Sequence, residues 1–221
     1  EILRCLVGSE MCIRDRYKTN GIQWAVWKME ESLDTLFSLL PDARRVSCEQ
    51  EMQRFTSDRR KLEWLSVRVL LYSMLQEDKE IGYSSEGKPH LTDNSSFISI
   101  SHTKGYVAVM LASSVPVGID IEQYAQRVHK VCDRYVRPDE QVESYQGDIT
   151  WGLLLHWSAK EAVFKRMENA DADLRKLRLT HFIPQEEGTF QVQELVTAQQ
   201  ELYSVGYRIC PDFVLTWTVT I

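Results

Sequence analysis

Three carboxylates and a lysine are spaced along this chain so that they could do ionic chemistry together. In the segment Val117-Gly118-Ile119-Asp120-Ile121-Glu122, apolar and acidic residues alternate. Alternate side chains of a strand share a face. Val117, Ile119 and Ile121 would then turn into a core, while Asp120 and Glu122 turn the other way, roughly 7 Å apart at their backbones. Two carboxylates held that close repel unless a proton or a cation lies between them. Oxygen ligands with no histidine or cysteine nearby favour a hard ion, magnesium before zinc. An edge strand with a solvated acidic face explains the same pattern about equally well.

The second group is Trp157-Ser158-Ala159-Lys160-Glu161-Ala162-Val163-Phe164-Lys165. On a helix Glu161 and Lys165 share a face, with Lys160 adjacent. A structural salt bridge is the common reason for that spacing. A third carboxylate beside two lysines also suits a site for a metal and a polyphosphate together, since magnesium completes its shell with phosphate oxygens and water.

These residues need a strand and a helix to hold them. A buried strand is expected over 22–27. Leu33, Leu36, Phe37 and Leu40 then recur at helical spacing until Pro41 stops them. A longer helix follows a cap at Ser57 or Asp58, carrying Leu62, Leu65, Val69 and Tyr72, with Arg59, Arg60 and Lys61 near its start. A solvated helix surface is the bland account of those basic residues. Residues 82–96 read as turns. Strands over 97–101 and 106–112 form a hairpin, and another strand covers 117–122. A helical region over 126–146, a helix over 150–168 and strands over 179–183, 189–195 and 214–219 complete the chain. Each half is strands plus one long helix, which gives an α+β fold of two similar units, 17–115 and 116–221. Residues 1–16 lack periodicity and are expected to be a non-native leader.

Bulk composition excludes several classes. With 43% hydrophobic and 26% charged residues in 221, the chain can bury a core and is not a disordered one. A net charge of -6 argues against a nucleic-acid binder. The five cysteines form no C-x-x-C pair, so a zinc knuckle or disulfide framework is not expected. No apolar run is long enough for a membrane helix. The expected location is cytoplasmic, away from nucleic acid and membrane.

The strand V-G-I-D-I-E followed by the helix W-S-A-K-E-A-V-F-K resembles the paired signature of the 4′-phosphopantetheinyl transferase superfamily. Gly87-Lys88-Pro89, Ile100-Ser101-His102 and Arg59-Arg60-Lys61-Leu62-Glu63-Trp64 precede it in matching order. Together they resemble the larger single-chain branch, the surfactin-synthetase-activating type. That resemblance implies a pseudo-dimer of two α+β halves with the active site between them, acting as a monomer. It implies that Asp120, Glu122 and Glu161 bind magnesium and that Lys165 contacts the pyrophosphate. Lys88, Ser101 and His102 fall at positions that contact the nucleotide end of coenzyme A, and Arg59 or Arg60 near a phosphate. Glu140 corresponds to a proposed general base.

The implied reaction moves 4′-phosphopantetheine from coenzyme A, the co-substrate, to a serine of an apo acyl or peptidyl carrier protein, releasing 3′,5′-ADP. Glu140, or a water held by the metal, would take the serine proton. Two other readings stay open: a magnesium-dependent nucleotide phosphohydrolase, and a protein that binds carriers without catalysis.

Overall fold

The computed structural model describes residues 13–19, 21–167 and 173–219, in two compact units that divide after Ser114. Both mix helices and strands, and every strand pairing in them is antiparallel, which is the α+β class.

The first unit opens with the hairpin β1 (Ile13–Thr19) and β2 (Ile22–Lys28), followed by α1 (Leu33–Ser38), α2 (Asp42–Met52) and α3 (Asp58–Leu75). A small hairpin, β3 (Ile81–Tyr83) with β4 (Pro89–Leu91), precedes β5 (Phe97–Thr103) and β6 (Tyr106–Ala112). The sheet order is β1-β2-β6-β5, and α3 lies across β2 and β6. Leu65, Val69 and Leu70 of α3 share a core with Ala25, Val107 and Val109. The Ser57 side chain caps α3 by accepting from the Arg60 amide, as expected of a serine at that position.

Three expectations for this unit need correction. The expected leader, 1–16, overlaps a strand that was not expected, Ile13–Thr19, which pairs with β2; residues 1–12 lie outside the described residues. Pro41 ends one helical segment but also introduces α2, since a proline costs no hydrogen bond where a helix begins. Only Cys48 and Met52 of α2 are buried, four residues apart, too sparse an apolar stripe to announce a helix. Finally, the turn-rich stretch 82–96 contains most of the β3–β4 hairpin.

The second unit contains β7 (Ile119–Gln123), α4 (Ile149–Arg166), β8 (Leu177–Leu179), β9 (Glu187–Glu194), β10 (Leu202–Ile209) and β11 (Phe213–Val219). Its sheet runs β7-β11-β10-β9-β8, with α4 packed on β11 and β7. Leu154, Leu155, Ala159 and Val163 of α4 meet Val192, Val205 and Val214 in one core. Asp148 caps α4 through the Thr150 amide.

The helix expected over 126–146 is absent. Two short 3-10 turns, Gln126–Lys130 and Cys132–Arg134, lead into irregular chain instead. Pro138 cannot donate within a helix and biases Arg137 away from helical geometry. The Glu140 carboxylate accepts the Arg137 amide in place of a helical partner. Strand β8 stops at Leu179, short of the expected 179–183. β10 was not expected, although Tyr203, Val205, Tyr207 and Ile209 alternate along it; Gly206, on its other face, stands where a side chain would strike the Trp217 ring. Among the described residues no helix is long and apolar enough to cross a membrane.

Candidate functional site

Strand β7 carries Asp120 and Glu122, and its register with β11 sets Asp120 opposite Thr216 and Glu122 opposite Val214. Across this pair lies α4, tied to β11 by a 2.9 Å hydrogen bond between the Ser158 and Thr216 hydroxyls. The approach is closest at Gly118, where a Cβ would stand 1.8 Å from the Ala162 carbonyl oxygen. Only glycine lets the strand come that near the helix backbone. Helix and strand therefore present Glu161 and Lys165 toward the acidic face of β7.

Lys165 Nζ donates to Asp120 Oδ1 at 2.7 Å and to the Ile119 carbonyl at 3.1 Å. Trp157 Nε1 donates to Glu122 Oε1 at 2.9 Å, with its ring packed edge-on against Tyr135. Burial, and then the charge of Asp120, hold the Glu122 carboxyl above the usual carboxylate range. The same two causes, in the same order, raise Glu161. Lys165 opposes the rise at both. One ammonium thus serves three neighbouring carboxylates.

The donor chemistry fits a hard divalent cation: oxygen atoms only, largely buried, and in mutual repulsion that positive charge would relieve. The arrangement is not a ready-made cage. Among the described residues no three His, Cys, Asp or Glu side chains are grouped closely enough to hold a metal as they stand. Lys165 occupies Asp120, and Trp157 engages Glu122. Beside Glu122 opens a cavity of about 280 Å³, walled by Arg127, Val128, Val131, Leu154 and Trp157.

Glu140 sits in a different setting from the one expected of a general base. Its side chain is fully buried, as is that of Lys160, whose Nζ lies 2.7 Å from Glu140 Oε2. The Arg137 amide also donates to Oε2 and the Leu179 amide to Oε1, each at 2.7 Å. Lys160 further donates to the Tyr135 carbonyl at 2.6 Å. Burial lowers the Lys160 pKa, and Glu140 works against that shift. Both oxygens of Glu140 are engaged, so in this geometry it is an ion-pair hub joining its own loop to α4 and β8.

The basic residues expected to meet coenzyme A lie in the first unit. Arg59 and Arg60 occupy the first turn of α3, where the helix dipole is also positive. Both bind Glu63, one turn on: Arg59 Nε at 2.8 Å and Arg60 Nη1 at 3.3 Å. Arg60 Nη1 also lies 2.9 Å from His102 Nε2 on β5. Ser101, its neighbour in β5, is buried on the opposite face of the strand. Lys88 stands in the turn that leads into β4. The described contacts thus gather Arg59, Arg60 and His102 around Glu63.

Reading the sequence for reactive groups passed over Glu63, Trp157 and Gly118. Glu63 had a visible signal, because it stands three and four residues from two arginines on one helix. The role of Trp157 depends on an indole reaching across to another element, which no local spacing encodes.

Residues 116–218 match a family model described as the 4′-phosphopantetheinyl transferase superfamily. The chain is also similar to the 4′-phosphopantetheinyl transferase AcpT of Escherichia coli, 30% identical over 122 residues, covering 48% of this chain and 58% of that protein. AcpT of Salmonella typhimurium is 27% identical over 141 residues, covering 58% and 66%. Enterobactin synthase component D of Shigella flexneri is 27% identical over 168 residues, covering 72% and 76%. The chain thus spans little more than half of the Escherichia coli AcpT protein.

Proposed function

We propose that this chain, which carries a 4′-phosphopantetheinyl transferase superfamily domain over residues 116–218, moves phosphopantetheine from coenzyme A to a serine of an apo carrier protein. The observation that carries the reading is Lys165 set among Asp120, Glu122 and Glu161 within that domain. An ammonium amid buried carboxylates suits a place where a metal cation and a pyrophosphate arrive together.

In this reading Asp120, Glu122 and Glu161 hold magnesium. When bound, it supplies Lewis-acid stabilisation of charge on the pyrophosphate. The carrier serine attacks the β-phosphate, the bond to the nucleotide side breaks, and 3′,5′-ADP leaves. Lys165, released from Asp120, turns its ammonium to the charge that builds on the departing phosphate. Trp157 keeps Glu122 oriented, and the apolar walls beside Glu122 suit the uncharged pantetheine arm. The serine proton goes to a water held among the carboxylates, because Glu140 is already paired with Lys160. Arg59, Arg60 and His102 meet the phosphate of the nucleotide end. The reading treats the two units as related halves of a pseudo-dimeric monomer, working in the cytoplasm on one coenzyme.

Incubation with coenzyme A, magnesium and a panel of apo acyl and peptidyl carriers tests this directly. Intact mass should show one phosphopantetheine added to a carrier, and no addition when the carrier serine is Ala. Release of phosphate from coenzyme A with no carrier labelled would instead identify a nucleotide phosphohydrolase.

A further inference from the structure

We propose that Glu63 is the positioning residue of a phosphate-binding fork made by Arg59, Arg60 and His102, selective for the 3′-phosphate of the nucleotide. The inference rests on the coenzyme A reading and adds what makes the cluster specific. Glu63 is buried, with 5% of its surface exposed, yet both its oxygens are used by guanidinium groups. Arg59 and Arg60 are exposed over more than half of their side chains. The carboxylate is thus an anchor beneath, and the two arginines are what the solvent meets.

The hydrogen bonds fix which edges face outward. Arg59 uses Nε on Glu63 and leaves its two Nη groups without a partner among the described residues. Arg60 uses Nη1 for both Glu63 and His102, leaving Nε and Nη2. Arginine cannot accept a hydrogen bond, so His102 Nε2 is the acceptor and its proton lies on Nδ1. That nitrogen stands 3.9 Å from Glu63 Oε2. Glu63 therefore bears on all three members. The outward guanidinium edges match the oxygens of a phosphate monoester, which arginine can bind through two parallel bonds. Two arginines against one carboxylate leave a net positive charge to attract it.

The test compares 3′,5′-ADP with 5′-AMP as calorimetric ligands for the full chain, so the 3′-phosphate is the only difference. Wild type should prefer 3′,5′-ADP, and Glu63→Gln should lose about 10-fold of that preference while its 5′-AMP affinity holds. A merely structural glutamate would weaken both ligands alike, and an unchanged ratio would overturn the proposal. So would a larger ratio, which would mean that Glu63 competes with the phosphate. Arg60→Lys keeps the charge and leaves the buried carboxylate in place, but cannot span Glu63 and His102. It should lose the preference too, and its failure to do so would equally overturn the fork. Carrier labelling by the wild type, run in parallel, separates the two ideas. Labelling without any 3′-preference rejects this fork alone, whereas preference without labelling rejects the transferase reading and keeps the fork.

Discussion

Lys165 Nζ lies 2.7 Å from Asp120 Oδ1, with Asp120 almost fully buried and Lys165 about one-quarter exposed. Removing the cation leaves a buried carboxylate uncompensated, a change of about 3 kcal/mol in buried pairs. Lys165→Gln should therefore melt well below the wild type in chelator. Added magnesium should recover part of the loss, and raise the variant's melting temperature more than the wild type's. Melting curves with and without the ion check this. Equal shifts in the two proteins would mean that the ion does not bind at Asp120.

Trp157→Phe keeps a ring against Tyr135 but loses the N–H that orients Glu122. Groups that orient a metal ligand affect metal affinity by about 10- to 100-fold. Manganese, titrated by electron paramagnetic resonance in place of magnesium, should bind about 10-fold more weakly to the variant, with unfolding unchanged. Equal affinity would make the indole a packing residue only.

Glu140→Gln separates a structural hub from a catalytic base. The buried Lys160 ammonium loses its counter-charge, which costs about 3 kcal/mol in urea unfolding. Adding Lys160→Met should restore most of that, since the remaining amide can still accept from Leu179 and no charge is stranded. If the single variant instead unfolds like wild type while turnover collapses, Glu140 is the base after all.

His156 on α4 is buried, stacks on Phe182, and has no hydrogen bond to either ring nitrogen among the described residues. Burial, and then the nearby Lys160 charge, push its pKa down to about 3. Glu140 lies 3.9 Å from Nδ1 but is already engaged by Lys160. The unfolded chain takes up this proton near its ordinary pKa of about 6.5, and the folded chain does not. The stabilisation is complete above about pH 6.5 and is lost as pH falls toward 3, by about 1.4 kcal/mol per pH unit. His156→Phe should flatten the stability profile between pH 6 and 4, measured by urea unfolding across that range. An unaltered slope would show that this imidazole does not set it.

What the sequence disclosed depended on how local the cause was. Asp120 and Glu122 could be read because period-two alternation is a property of neighbouring residues, and α4 because its cap and apolar stripe are contiguous. β10 shows the same alternation in Tyr203, Val205, Tyr207 and Ile209 but carries a glycine, a poor strand former, whose reason is a tryptophan on the next strand. The false helix over 126–146 arose because Val128, Val131 and Tyr135 are spaced as on a helix. Their partners are instead residues of the second unit's core. Glu140 was legible as a charged residue in a motif, but not as a buried one. Its distant partners, Lys160 and Leu179, come from two other stretches of chain, α4 and β8.

Gly118 leaves no room for a side chain between its strand and the Ala162 carbonyl. Along that seam, main chain faces main chain, with Thr218 bonded to Gly118 at both its amide and its carbonyl. The gap separating the strand acids from the helix acid is therefore a fixed gauge, with nothing compressible inside it. Exchanging nearby core residues can loosen or tighten the unit around it, but cannot widen or narrow it gradually. Any adjustment of that gap must move a whole helix at once.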